Sequence, residues 1–207
     1  MDYFLQKVGG KPARQAVTLR RCTPAEAPAV FALQNEVRAA LEQPLEDMVL
    51  SIKETFKKTN PDLAMPHPEQ FVPDTLENIT GYLRTGICIG AWQQRRLGAY
   101  LILRLCGQSS ENYAAFLGVP QSQWQHWANA DSAVVHPDWR GNGLQRAMLE
   151  AALPLLPPQI THLGATISPD NSYSLRNAQA GAAASAAAGR CTAATTAICW
   201  KSSCNSR

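Results

Sequence analysis

The chain has 207 residues, of which 45% are hydrophobic and 17% charged, and its 19 Lys+Arg against 16 Asp+Glu leave a net charge of +3. This is the composition and length of one globular domain, not of a fibre. The basic excess is too small to imply a nucleic-acid partner, although it can help attract a phosphorylated small molecule. No run of about 18 apolar residues is present to cross a bilayer. Met1-Asp2-Tyr3 is not the basic start of a secretory signal, so the expectation is a cytoplasmic protein with no membrane attachment. The six cysteines, Cys22, Cys88, Cys106, Cys191, Cys199 and Cys204, include no Cys-x-x-Cys pair, and the four histidines, His67, His126, His136 and His162, show no ligand spacing. Free thiols and no bound metal are expected.

In chain order, residues 1–16 are polar and carry Gly9, Gly10 and Pro12, and they read as a loose leader. Residues 17–21 read as a first strand. Thr23-Pro-Ala-Glu26 has the form of a capping box with Pro in the first turn, opening a helix whose apolar stripe is Val30, Leu33, Val37 and Leu41. Residues 44–73 mix a short helix over 47–58 with a proline-rich loop, and residues 73–83 form another helix that closes near Gly86. A hairpin follows, 87–92 with 97–105, turning across 93–96. Residues 107–129 interrupt the strands with a polar and aromatic insertion carrying Tyr113, Phe116, Trp124 and Trp127. Those aromatics either shape a substrate pocket or pin the insertion to the body, and the sequence leaves both readings open.

Residues 130–149 carry the densest signal. Val134 and Val135 are strand formers, Pro137 cannot continue a ladder, and Gly141 and Gly143 flank Asn142 where the backbone bends. Leu144, Ala147, Met148, Ala151, Ala152 and Leu155 then recur at three- and four-residue steps, as on one helix face. Strand, glycine turn and helix start in this order suit a pyrophosphate, because the first N–H groups of a helix are unpaired and carry positive partial charge. Arg140 adds a charged donor. A dinucleotide fold would want glycine at Arg146, and a P-loop would end in Gly-Lys-Ser/Thr, so the spacing excludes both.

The segment His136-Pro-Asp-Trp-Arg-Gly-Asn-Gly-Leu144 resembles the acetyl-CoA motif of the GNAT N-acetyltransferases, Gln/Arg-x-x-Gly-x-Gly/Ala, with Arg140, Gly143 and Gln145 at its fixed places. Gln145 departs from the usual Gly or Ala. Asn171, Ser174 and Asn177, three apart after the strand at 161–167, resemble the family's second cofactor motif. The resemblance implies an α/β fold of α+β layering, a central mixed and mostly antiparallel twisted sheet flanked by helices. It covers residues 17–179, with 107–129 as an insertion.

The resemblance also implies transfer of an acetyl group from acetyl-CoA to a primary amine of a small molecule or peptide, in a chain that could form a homodimer. Val134 and Val135 would offer main-chain groups to the pantetheine arm and the thioester carbonyl. Arg140, Gly141, Asn142, Gly143 and Leu144 would hold the pyrophosphate, and Asn171 and Ser174 would steady the pantetheine. Asp131 is the candidate general base. The tyrosine that many members use as general acid aligns with Ala178, which leaves Tyr173 as its substitute.

The tail departs from the family. Residues 180–188 are nearly all Ala, Gly and Ser, and residues 190–207 are rich in Cys, Thr and Ser. The expectation is a low-complexity, disordered tail over 180–207, with the family's closing strands missing. Codons compatible with residues 191–206, read one base back, can spell a Gly-Gly turn, an aromatic and aliphatic strand and a stop, so a shifted frame is one source of such a tail. Two further readings follow from it: an acyl-CoA-binding protein without turnover, and an inactive frameshifted product.

Overall fold

The structure, a computed structural model, describes residues 1–46, 73–167, 186–190 and 196–201. The short helix expected over 47–58 and the proline-rich loop after it lie outside the described residues. The elements in order are β1 (Asp2–Val8), β2 (Lys11–Arg21), α1 (Ala27–Glu46, entered by a 3-10 turn at Pro24–Glu26), α2 (Leu76–Thr85), β3 (Ile87–Gln93), β4 (Arg96–Arg104), the short α3 (Tyr113–Phe116), β5 (Trp127–Val135), α4 (Leu144–Ala152), β6 (His162–Ile167), β7 (Ala186–Arg190) and β8 (Thr196–Lys201).

All eight strands join one mixed sheet in the order β1-β2-β3-β4-β5-β6-β8-β7. Every neighbouring pair is antiparallel except β5 and β6. Both faces of its centre are covered, so β3 and β4 are buried almost throughout. Ile87, Ile89, Leu101 and Leu103 join Leu144, Met148 and Trp139 on the face that α4 covers. Cys88, Tyr100, Ile102 and Val134 join Val30, Leu33 and Val37 of α1 and Ile79 and Leu83 of α2 on the other. The layered α/β architecture expected from the sequence is therefore present, and the predicted stripe of α1 is its buried face.

Gly98 on β4 leaves the space that Trp139 fills: a Cβ there would lie 2.3 Å from Cε3 of the indole, which is 1% exposed. Ring atoms wedged in a core cannot swing aside as a flexible chain end can. Gly98→Ala is expected to cost about 1–3 kcal/mol by overpacking and to lower the thermal midpoint by roughly 2–10 °C. Melting followed by circular dichroism checks this, and an unchanged midpoint would show that the Trp139 seat is looser than drawn.

Two sequence-based expectations are corrected. Residues 1–16 are not a loose leader: they form β1 and the first half of β2, joined by a two-residue turn in which Gly9 (φ 55°) and Gly10 (φ 76°) are both left-handed. That is the hairpin turn whose twist matches its strands, and it needs glycine at both places. The leucine at position 5 is 0% exposed, so the hairpin contributes to the core.

The closing strands are also present rather than missing, and the tail is not wholly without structure. All six residues of β6 pair with β8, and β8 pairs with β7. Thr196, Ile198 and Trp200 place strand-forming residues at every second position of β8. Strand β7 is Ala-Ala-Ala-Gly-Arg, whose pairing rests on main-chain groups that carry no side-chain signal.

Candidate functional site

The sheet forks between β5 and β6. The two strands pair only through Trp127↔His162, Ala128↔Leu163 and Asn129↔Gly164, after which β5 continues to Val135 along β4 and β6 continues to Ile167 along β8. On the β4 side, the His136 N–H donates to the Gly98 carbonyl at 2.8 Å. Antiparallel ladders alternate in direction, so Val134, opposite Tyr100, turns its main chain toward β4, and Val135 turns its own toward the open fork. The expected pair of main-chain groups therefore narrows to Val135. Val134 serves instead as a core side chain, 3% exposed. The Val135 carbonyl accepts from Nε of Arg140 at 3.3 Å, which folds the guanidinium stem across the mouth of the fork.

From that mouth the chain enters the glycine turn. Gly141 (φ 72°) and Gly143 (φ 70°) are both left-handed and both exposed. Gly143 is the N-cap of α4 and supplies no side chain to cap it, and the Ala147 N–H makes its bond back to the Gly143 carbonyl. The start of α4 thus faces outward with the positive end of its dipole. The Leu144 side chain is 2% exposed in the core, so only its main chain can serve a ligand. Asn142 is 7% exposed, and its side chain is committed to the protein. Its Oδ1 accepts from the N–H groups of Gln6 (2.7 Å) and Lys7 (3.1 Å), while its Nδ2 donates to the carbonyls of Lys7 (2.8 Å) and Trp139 (2.9 Å). The Tyr3 hydroxyl donates to the Asn142 carbonyl, and the Gly9 N–H donates to that of Asp138. The turn is held from below by the N-terminal hairpin.

Inside the fork the register of β4 and β5 slips between Ile102 and Leu103, so that Ser132 faces Ile102, Ala130 faces Leu103, and Asp131 is the extra residue of a bulge. A bulge re-aims the side chain it carries. Oδ1 of Asp131 accepts from NH1 of Arg104 at 3.2 Å and from the Tyr113 hydroxyl at 3.2 Å. Arg104 also pairs with Glu111 and lies 4.4 Å over the Tyr82 ring. Burial works against its charge, but Asp131, with Glu111 beside it, outweighs that and the net direction is up.

Tyr82 donates to Asp74 at 3.1 Å, and Gln34, buried in α1, clamps Asp74 by its N–H (3.1 Å) and carbonyl (2.8 Å). Burial, and then the nearby Asp131 charge, raise the Asp74 carboxyl. The Tyr113 phenol is pushed up to about 12 by burial and by Asp131.

The insertion answers its two readings residue by residue. Trp124 donates to the Val119 carbonyl at 2.8 Å and Trp127 stacks on His162 at 4.9 Å, so both pin the segment. Tyr113 instead reaches Asp131. Its N–H is held by Asn129 at 2.9 Å, and Gly164 makes room for it, since a Cβ on that glycine would lie 2.9 Å from the Cβ of Tyr113. The fork region thus gathers Asp131 and Val135 with Arg140, Gly141, Gly143 and the Leu144 main chain at its mouth. Asn171, Tyr173 and Ser174 lie outside the described residues. No sequence motif marks Asp74, Tyr82 or Arg104, which converge from separate elements with Tyr113, one of the aromatics for which pocket and pin both stand open; Tyr3 and Lys7 follow only once Gly9-Gly10 is taken as a hairpin turn. Among the described residues no group of three or more His, Cys, Asp or Glu could hold a metal, and no helix is long and apolar enough to cross a membrane.

No protein-family model matches the sequence, and no curated protein does. Solved structures do. An acetyltransferase of the GNAT family from Listeria monocytogenes superposes with a TM-score of 0.61 at 10% identity, covering 98% of this chain and 100% of that one. The PaiA N-acetyltransferase of Thermoplasma acidophilum, in complex with coenzyme A, gives 0.56 at 10% identity over 90% and 99% of the two chains. The diaminobutyrate acetyltransferase EctA of Paenibacillus lautus, in complex with L-2,4-diaminobutyric acid and coenzyme A, gives 0.53 at 13% identity over 88% and 93%. The fold is that of the GNAT acyl-CoA N-acyltransferases.

Proposed function

We propose that the chain is an N-acetyltransferase that takes an acetyl group from acetyl-CoA to a primary amine of a small molecule or peptide. The observation that carries this reading is the fork between β5 and β6, opening onto a left-handed glycine turn at an uncapped helix start. The residues fit the donor. Exposed Gly141 and Gly143 leave room for phosphates against main-chain N–H groups, and a Cβ on Gly143 would meet nothing nearer than the Tyr3 hydroxyl at 3.3 Å. Coenzyme A in the Thermoplasma and Paenibacillus structures supports the same assignment.

In this reading Arg140, Gly141, Gly143 and Leu144 hold the pyrophosphate, and the Val135 main chain meets the pantetheine end in the fork. Asp131 accepts a proton from the amine, whose nitrogen then attacks the thioester carbonyl carbon as the C–S bond breaks. Tyr113 gives its phenolic proton to the departing thiolate. A phenol held protonated to about 12 is present as a donor throughout the working range. Asn171 and Ser174 keep their proposed place beside the pantetheine, and Tyr173 remains a second candidate acid. A protein that binds donor without turnover is less well supported, because β7 and β8 close the sheet and a base and an acid stand together at the bulge.

The test is release of free thiol from acetyl-CoA over a panel of small amines and peptide N-termini. Release that depends on an added amine supports the reading. Binding without release from any amine would favour the acyl-CoA-binding alternative, and no binding would contradict both.

A further inference from the structure

Lys7 sits on β1, with three strands between it and β5 in the sheet, yet its side chain lies against the glycine turn. A Cβ built on Gly141 would stand 2.7 Å from Cε of Lys7 and 2.8 Å from its ammonium nitrogen. Its position is not left to a flexible stem alone. The main chain of Lys7 is gripped by Asn142 from both sides, N–H to Oδ1 and Nδ2 to carbonyl, and Tyr3 and Gly9 tie the same hairpin to the same turn. The ammonium makes no ion pair with another described residue. Nor does Arg140 on the other flank, whose described partner is the Val135 carbonyl. Two cations from separate elements therefore border one exposed, left-handed glycine. An anion seated on that glycine can meet a charged donor from each flank.

We propose that Lys7 is a phosphate-binding residue of the donor site, so that the N-terminal hairpin forms part of the pocket and contributes a cation to the pyrophosphate on the glycine turn. This rests on the transferase reading above. Lys7 is exposed and Asn142 grips only its main chain, so replacing the side chain leaves the hairpin in place.

The experiment compares wild type, Lys7→Gln and Lys7→Arg in the full chain with two donors, acetyl-CoA and S-acetylpantetheine, the second of which has no phosphate. Titration calorimetry reads acetyl-CoA affinity, and thiol release reads kcat/KM for both donors. Lys7→Gln is expected to weaken acetyl-CoA binding about tenfold, the scale of one lost charged hydrogen bond. Its kcat/KM with S-acetylpantetheine stays at the wild-type value, and Lys7→Arg recovers most of the affinity. Equal affinity of Lys7→Gln and wild type for acetyl-CoA would overturn the proposal. So would an equal loss with both donors, which would make Lys7 a structural residue. If wild type itself failed to bind acetyl-CoA, the transferase reading would fall and this proposal with it, an outcome visible before any variant is measured.

Discussion

Gly143→Asp is expected to lower acetyl-CoA affinity by at least about a hundredfold. The substitution brings a carboxylate to the N-cap of α4, where the proposed pyrophosphate carries the same sign, and like charges brought into contact repel. It also places a side chain in a backbone conformation at φ 70°, which costs a non-glycine residue about 1 kcal/mol. Asp is itself a favourable N-cap residue, so the fold should survive. Gly143→Ala separates the contributions, since it carries the backbone strain and a Cβ 3.3 Å from the Tyr3 hydroxyl without the charge. Titration calorimetry on the three proteins should rank them wild type, Ala, Asp. If the Asp variant bound as tightly as the Ala variant, no phosphate would lie at this turn.

Asp131→Asn is expected to reduce kcat by about a hundredfold to ten-thousandfold, the usual range for removing a general base, with KM for acetyl-CoA little changed. The amide keeps the shape of the side chain and can still accept from Arg104 and Tyr113, so the loss reports the missing proton acceptor. Tyr113→Phe should fall in the same direction by a smaller factor if Tyr173 shares the proton-donating role. The sign of the pH dependence follows from the raised phenol. Tyr113 is protonated and able to donate below about 12, so an alkaline limb of kcat below pH 10 belongs to another group. Rates across pH for wild type and Tyr113→Phe check this, and an alkaline limb below pH 10 that disappears in the variant would contradict the raised phenol.

The parts of the fold that were legible in the sequence are those in which burial imposes a period. The stripe of Val30, Leu33 and Val37, the helix bounded by Thr75 and Gly86, and the apolar hairpin of β3 and β4 each present a face the core requires. The first hairpin shows little period because β1 sits at the sheet edge and alternates around a single fully buried residue, Leu5. Gly9-Gly10 is the signal of its turn, because both residues are left-handed there. Of the last two strands, β7 has only alanine, glycine and arginine to show.

The site divides in the same way. Its proposed phosphate half is local: the nine residues His136–Leu144 form one turn between β5 and α4. The proposed acceptor half is assembled across long distances in sequence: Gln34 on α1 holds Asp74, Tyr82 on α2 lies beneath Arg104 of β4, and Tyr113 of the insertion meets Asp131 of β5. No spacing rule connects these positions. The bulge that turns Asp131 into the fork is likewise a matter of register between two strands, which neither strand states alone. The role of Asn142 also shifted for this reason. A polar residue between glycines reads as a ligand donor, yet its side chain closes three hydrogen bonds to a hairpin more than a hundred residues earlier and a fourth to the Trp139 carbonyl.

The central claim is that the donor lies along β5 and against the start of α4. Backbone amide NMR of the isotopically labelled chain during titration with acetyl-CoA tests it most directly. The largest shifts are expected at Val135, Gly141, Gly143 and Leu144. Shifts confined to another surface, such as the hollow lined by Met1, Leu19, Ala151 and Leu155 at the far end of α4, or no shifts at all, would contradict it.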